Sequence, residues 1–241
     1  MHCAERPPSS PFSYDSTQYS QFKRHLILSR SHLHMLKRAF AEFIGTWFMV
    51  GVGCGSIAMG APGWLISISF GLAVTLAILA LQPISGAHIN PAVSIAFMRS
   101  GHLEKEALAP YIAAQLAGAL TAAWMLGGVG ETQLANNVSI LQGTAVEIFI
   151  TFSLMASIYW IVVKSETHVS IAFFVGGAVG ILAYFFGPMT GASMNPARTF
   201  GPNIVGGFAT SIPFYSLTTV AGALLAAEVY IRIYGKKQPQ D

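Results

Sequence analysis

Long apolar stretches alternate with short polar ones along this chain. Six of them, at roughly 39–59, 64–82, 107–128, 143–163, 169–187 and 213–233, reach the length of about 20 residues that an α-helix needs to cross a hydrocarbon core. Two more follow Asn90 and Asn195, but each meets polarity or a helix breaker after about ten residues, too few to cross. The pattern predicts an all-α membrane protein with six transmembrane helices plus two re-entrant half-helices.

Composition supports lipid as the solvent. Of 241 residues, 53% are hydrophobic and 10% charged, against about 25% charged in soluble domains. That is too little polar surface to coat a globule in water. The formal net charge is only +3 and no long charged run occurs, so nothing points to nucleic acid. Placement says more than size. In a six-span topology every Lys and Arg except Arg198 falls on one side, which the positive-inside rule makes cytosolic. Both termini are then cytosolic. The expected layout is a cytosolic tail over 1–38, a membrane domain over 39–233 and a second cytosolic tail over 234–241. The first tail lacks the apolar core of a signal peptide, and its basic stretch from Lys23 to Arg38 reads as a short helix on the membrane surface. Cys3 and Cys54 form no disulfide framework, and no Cys/His spacing suggests a metal. The sequon Asn137-Val138-Ser139 falls on the outer side, where two readings are open: a glycosylation acceptor or a chance tripeptide.

The two halves of the domain repeat. A shift of 105 residues places Glu42 on Glu147, Thr46 on Thr151, Gly71 on Gly176, Ser85-Gly86-Ala87 on Thr190-Gly191-Ala192, and Asn90-Pro91-Ala92 on Asn195-Pro196-Ala197. A shift of 104 places Gly118-Ala119-Leu120 on Gly222-Ala223-Leu224. Each half, about 39–128 and about 143–233, holds three spans and one short segment. Three is odd, so the second half enters from the opposite face and the repeat is inverted. Folds of this kind place their sites near the midplane, where interrupted helices meet.

Asparagine is a strong helix N-cap, because its side-chain oxygen accepts a backbone N–H in the first turn. Proline at the next position needs no hydrogen bond and is pre-set for helix. Asn90-Pro91-Ala92 and Asn195-Pro196-Ala197 therefore start helices, and the residues before them are expected to be extended. Non-helical backbone at membrane depth is tolerated where it is buried in protein or lines a watery cavity. Two such loops from opposite faces imply a pore. Each half-helix N-terminus carries roughly half a positive charge, so the pair opposes cations, protons included. With each Asn oxygen used by its cap, the amide NH2 groups of Asn90 and Asn195 are expected to donate to a passing water. Carbonyls of Gly86, Ala87 and His88, and of Gly191, Ala192 and Ser193, supply acceptors along the path.

A carboxylate in the membrane costs several kcal/mol unless it is partnered, about 2.5–3.5 on insertion scales. Glu42 and Glu147 each lie 48 residues before a capping asparagine. The mirrored placement predicts that each accepts hydrogen bonds from backbone amides of a re-entrant loop; contact with lipid headgroups is the other reading. Glu228 lies four residues before Arg232 and is expected to pair with it along one helix face. Arg198, in the first turn of the outer half-helix, would offer fixed donors and repel cations. His88 is either a pore-lining imidazole or a packed, capping one.

The segments Ser85-Gly-Ala-His-Ile-Asn-Pro-Ala-Val93 and Thr190-Gly-Ala-Ser-Met-Asn-Pro-Ala-Arg-Thr-Phe-Gly-Pro202 resemble the two signature loops of the aquaporin, or major intrinsic protein, family. The resemblance covers residues 39–233 and leans towards water channels rather than glycerol facilitators. It implies an aquaporin-like fold, a homotetramer with one pore per subunit, and a plasma or bacterial inner membrane. It also implies a passive channel for water, with glycerol, urea, ammonia or hydrogen peroxide as further neutral solutes. No enzyme activity, catalytic residue, metal or cofactor is implied. The partners are water, small neutral solutes and the lipid bilayer. Counted from the motifs, the family's outer filter falls on Phe70, Ala183, Ala192 and Arg198. Water-selective members tend to have histidine where this chain has Ala183, which widens the constriction. Glycerol-conducting relatives usually have aspartate where this chain has Thr199, and an aromatic where it has Ala192.

Two other classes compete. An ion-coupled secondary transporter also uses inverted repeats and broken helices, but its only candidate ion-binding groups, Glu42 and Glu147, are the ones assigned to the loops. A non-conducting structural membrane protein is the second, opposed by intact Asn90, Asn195 and Arg198.

Overall fold

The computed structural model describes residues 16–165 and 167–236, with side chains from residue 33 onward. The described part is helical: α1 (Ser16–Ala58), α2 (Gly63–Ser85), α3 (Pro91–Ser100), α4 (Lys105–Met125), α5 (Ile140–Lys164), α6 (His168–Thr190), α7 (Pro196–Val205), a 3-10 turn (Ala209–Ser211) and α8 (Ile212–Tyr234). Two compact units result, one up to Leu36 and one from Lys37 onward. The first has helical backbone from Ser16, which takes in the basic stretch; Cys3 and the rest of residues 1–15 lie outside the described residues, as do 237–241. Every candidate site residue belongs to the second unit.

Six helices are long and apolar enough to cross a membrane: Leu33–Ala58, Gly63–Ser85, Lys105–Met125, Ile140–Lys164, His168–Thr190 and Ala209–Tyr234. The six expected spans are all present, with shifted ends. The sequence pattern ends the second and fifth spans just before Pro83 and Pro188, but α2 and α6 run through those prolines to Ser85 and Thr190. A proline near a helix end forfeits one amide bond. The helices stop where Gly86 (φ 88°) and Gly191 (φ 74°) turn left-handed.

The bundle buries polar groups within an apolar core and turns large apolar side chains outward, as a lipid solvent favours. Glu42, Gln115 and Glu147 are fully buried, whereas Phe149, Trp160, Phe173, Ile181, Leu217 and Ile233 are each more than half exposed. The mirrored glycines lie at a helix crossing. α2 packs on α6, and a Cβ on Gly71 would stand 2.6 Å from the Gly176 carbonyl oxygen. Only glycine permits that approach. Glu228 does not take Arg232; its Oε1 lies 2.7 Å from Arg99 Nη2. The end of α3 comes close enough to α8 to supply the cation, and a contact between helices displaces the pairing along one.

Candidate functional site

α3 and α7 are ten-residue half-helices that begin at Pro91 and Pro196, and they touch. Each is capped as the motif predicts. Asn90 Oδ1 accepts from Ala92 N at 2.9 Å, and Asn195 Oδ1 accepts from Ala197 N at 2.9 Å and Arg198 N at 3.3 Å. The loops before them are not simply extended. Ala87, Ile89, Ala192 and Met194 have φ between 42° and 51°, a left-handed conformation that costs a non-glycine residue about 1 kcal/mol or more.

Two buried carboxylates hold that strained backbone. Glu42 Oε1 accepts from Ser85 Oγ at 2.7 Å and His88 N at 2.9 Å; its Oε2 accepts from Ile89 N at 2.6 Å and Gln115 Nε2 at 2.8 Å. Glu147 Oε1 accepts from Thr190 Oγ1 at 2.6 Å and Ser193 N at 2.9 Å; its Oε2 accepts from Met194 N at 3.1 Å. Two tyrosines repeat the theme: Tyr111 donates to the Ser85 carbonyl at 2.6 Å and Tyr215 to that of Thr190 at 2.8 Å.

The asparagine amides, expected to donate to a passing water, also bond to protein. Asn90 Nδ2 donates to the Met194 carbonyl at 2.8 Å, and Asn195 Nδ2 to that of Ile89 at 2.9 Å. One hydrogen of each amide thus ties the two loops together; an amide nitrogen carries two.

A single cavity of about 930 Å³ runs past these groups. Trp64 and Tyr184 line it near one end of their helices, Asn90 and Asn195 line its middle, and Phe97 and His102 line it at the far end of α3. Gly86, Ala87, His88, Gly191, Ala192 and Ser193 all line it. So do Phe70, Ala183 and Arg198. His88 lines the cavity, and its Nδ1 lies 3.1 Å from Ser94 Oγ while its ring packs on Phe97 and Tyr111.

Arg198 is buried, and its guanidinium is gripped on several sides. Nη1 donates to the Gly130 carbonyl and lies 3.7 Å from Cys54 Sγ, and the group sits 4.9 Å from the Phe70 ring centroid. A cation over an aromatic face is held by the ring quadrupole.

The sequence signature described as Major intrinsic protein matches residues 29–230. The chain belongs to the major intrinsic protein family. It is 36% identical over 219 residues to Aquaporin NIP1-1 of Zea mays, covering 85% of this chain and 77% of that protein. It is 38% identical over 211 residues to Aquaporin-6 of Rattus norvegicus, covering 80% and 75%. Its fold matches the X-ray structure of the aquaglyceroporin from Plasmodium falciparum with a TM-score of 0.74 at 23% identity, covering 84% of this chain and 96% of that one. As a multi-pass membrane protein of the major intrinsic protein family, it is a passive channel for water and small neutral solutes, and not an enzyme.

Several groups around the pore of this major intrinsic protein escaped the sequence reading. Tyr111 and Tyr215 are related by the same shift of 104 that aligns the Gly-Ala-Leu segments, and extending that register finds them. Gln115, Gly130, Thr132 and Asn203 carry no such signal.

Proposed function

We propose that the cavity between α3 and α7 is the conducting path, and that water and compact neutral solutes cross it while ions and protons do not. The observation that carries this reading is the pair of asparagine caps, bonded across to each other's loops, lining one cavity together with Trp64 near the start of α2 and with Phe97 and His102 near the end of α3. Two helix N-termini meet there, each worth roughly half a positive charge. The remaining amide hydrogens of Asn90 and Asn195 serve a passing water oxygen, and loop carbonyls from Gly86 to His88 and from Gly191 to Ser193 serve its hydrogens. Glu42 and Glu147 keep those loops in place. The outer filter is Phe70, Ala183, Ala192 and Arg198. Two of its four members are alanines, so it admits glycerol, urea, ammonia or hydrogen peroxide beside water.

The unit of function is a homotetramer in the plasma or bacterial inner membrane, one pore per subunit, with both termini cytosolic. Family resemblance supports the tetramer, and the one-sided placement of Lys and Arg supports the orientation.

Stopped-flow light scattering of proteoliposomes tests the reading. Rapid shrinkage in sucrose, followed by re-swelling in glycerol or urea, is the expected result. Permeability no greater than that of protein-free liposomes, or accumulation of solute against its gradient, contradicts it.

A further inference from the structure

The outer loop between α4 and α5, residues 126–139, has no counterpart in the repeat, yet it supplies the carbonyl that Arg198 grips. It contains no helix or strand of its own. α7 holds it. Asn203 is fully buried and meets the Thr132 backbone with both ends of its amide: Oδ1 accepts from Thr132 N at 2.9 Å and Nδ2 donates to Thr132 O at 2.9 Å. This is the pairing a neighbouring strand would make, supplied here by a side chain. Nδ2 also donates to Ser211 Oγ at 2.7 Å, so turning the amide over forfeits three bonds at once. Thr132 Oγ1 lies 2.8 Å from the hydroxyl of Thr199, the residue after Arg198.

Two residues before Thr132, Gly130 has φ 96°, and a Cβ there would stand 2.6 Å from Cys54 Sγ. The loop therefore lies as close to α1 as glycine allows, with its carbonyl on the guanidinium. The matching position in α3 is Met98, which has no amide, so the latch belongs to the outer mouth alone.

We propose that Asn203 is a specificity-determining positioning residue: by latching Thr132 it sets where the Gly130 carbonyl stands, and through that carbonyl where Arg198 stands. The inference rests on the assignment of Arg198 to the filter. Without the latch the guanidinium loses its fixed carbonyl and is left with softer neighbours such as Cys54 and the Phe70 face. The width and the donor position of the constriction then fluctuate, and discrimination against polyhydroxyl solutes weakens.

Leucine keeps the forked outline of asparagine, with methyl groups bulkier than the amide atoms, and makes neither bond. Reconstituted Asn203→Leu is expected to raise the glycerol-to-water permeability ratio about threefold to tenfold, the range that losing one or two net hydrogen bonds allows. Hydrogen exchange across residues 129–135 accelerates with it. Arg198→Ala raises the ratio on its own, and the double variant matches Arg198→Ala, because the latch acts only through the arginine. Asn203→Asp keeps the acceptor and loses the donor; it gives a smaller rise and carries the test if the leucine variant does not fold. An unchanged ratio in Arg198→Ala defeats the filter assignment itself. A raised ratio in Arg198→Ala with parental ratios in both Asn203 variants overturns the latch alone, and so does a double variant whose effects multiply.

Discussion

Asn90 donates to the carbonyl of Met194 at 2.8 Å, 104 residues away, and so binds the first re-entrant loop to the residue just before the second cap. The reciprocal bond from Asn195 to Ile89, at 2.9 Å, makes the contact symmetric. Each asparagine therefore caps its own half-helix and braces the other's loop. Two half-helices of ten residues have little stability alone, since helices this short are marginal without tertiary support. The crossed bonds provide that support where the chain must leave a passage open.

The crossed bonds predict coupling. Asn90→Ala and Asn195→Ala each remove a cap, worth about 1 kcal/mol, and each leaves a buried carbonyl without its donor, worth about 1–3 kcal/mol more. Loosening one loop weakens the bond made by the other, so the double variant departs from the sum of the singles by about 0.5–3 kcal/mol. Chemical unfolding in detergent measures the cycle. Strict additivity means that the two caps act independently.

The two carboxylates predict an asymmetry. In Glu42→Gln the new amide NH2 faces a fixed backbone donor whichever way it is turned, His88 N or Ile89 N, and beside it a group that donates in the parent, the Ser85 hydroxyl or the Gln115 amide, which must turn over to accept. In Glu147→Gln it can face the single donor Met194 N. The cause is Gln115, whose counterpart Thr219 donates to the Tyr215 carbonyl instead. Glu42→Gln is expected to lower stability by about 1 kcal/mol more than Glu147→Gln, the cost of turning over one further buried donor and giving up its present bond. A thermal-shift comparison that ranks them the other way refutes the assignment of donors.

These pairs also mark what was legible beforehand. Whatever occurs twice announces itself: the 105-residue register exposes Glu42 with Glu147 and Asn90 with Asn195. Chain punctuation then gives the half-helices their starts, since Asn-Pro caps in only one way. What occurs once is silent. Gly130 meets Arg198 across 68 residues, and Asn203 meets Thr132 across 71, through backbone atoms that every residue type possesses. The left-handed turns at Ile89 and Met194 were hidden for a related reason. Neither residue favours that conformation; the buried carboxylates impose it.

In the proposed filter, Ala183 sets the roominess of the outer constriction. It lines the cavity as Phe70, Ala192 and Arg198 do, and it is the smallest side chain that still carries a Cβ. Ala183→His places an imidazole there and lowers the glycerol-to-water permeability ratio by about tenfold or more, because each excluded methylene-sized volume is already worth about tenfold. Paired shrinkage and re-swelling assays read the ratio. If the parent passes glycerol and the histidine variant passes it equally well, the constriction lies elsewhere.

The thiol of Cys54 predicts the response to mercurials. It is fully buried, with Arg198 Nη1 3.7 Å away and the Gly130 carbonyl 3.8 Å away, so it stands behind the Arg198 guanidinium. A mercuric ion in the passage meets the guanidinium before the sulfur, and like charge opposes its approach. Ala192 does line the passage, and its φ of 42° is already left-handed, so cysteine there adds little backbone strain beyond what alanine carries. In a Cys3→Ser background, brief exposure to mercuric chloride is expected to leave water permeability unchanged. Ala192→Cys in the same background becomes sensitive and recovers with a thiol reductant. Rapid inhibition of the parent that Cys54→Ser abolishes means the thiol is open to the pore, and the buried backing of Arg198 is then wrong.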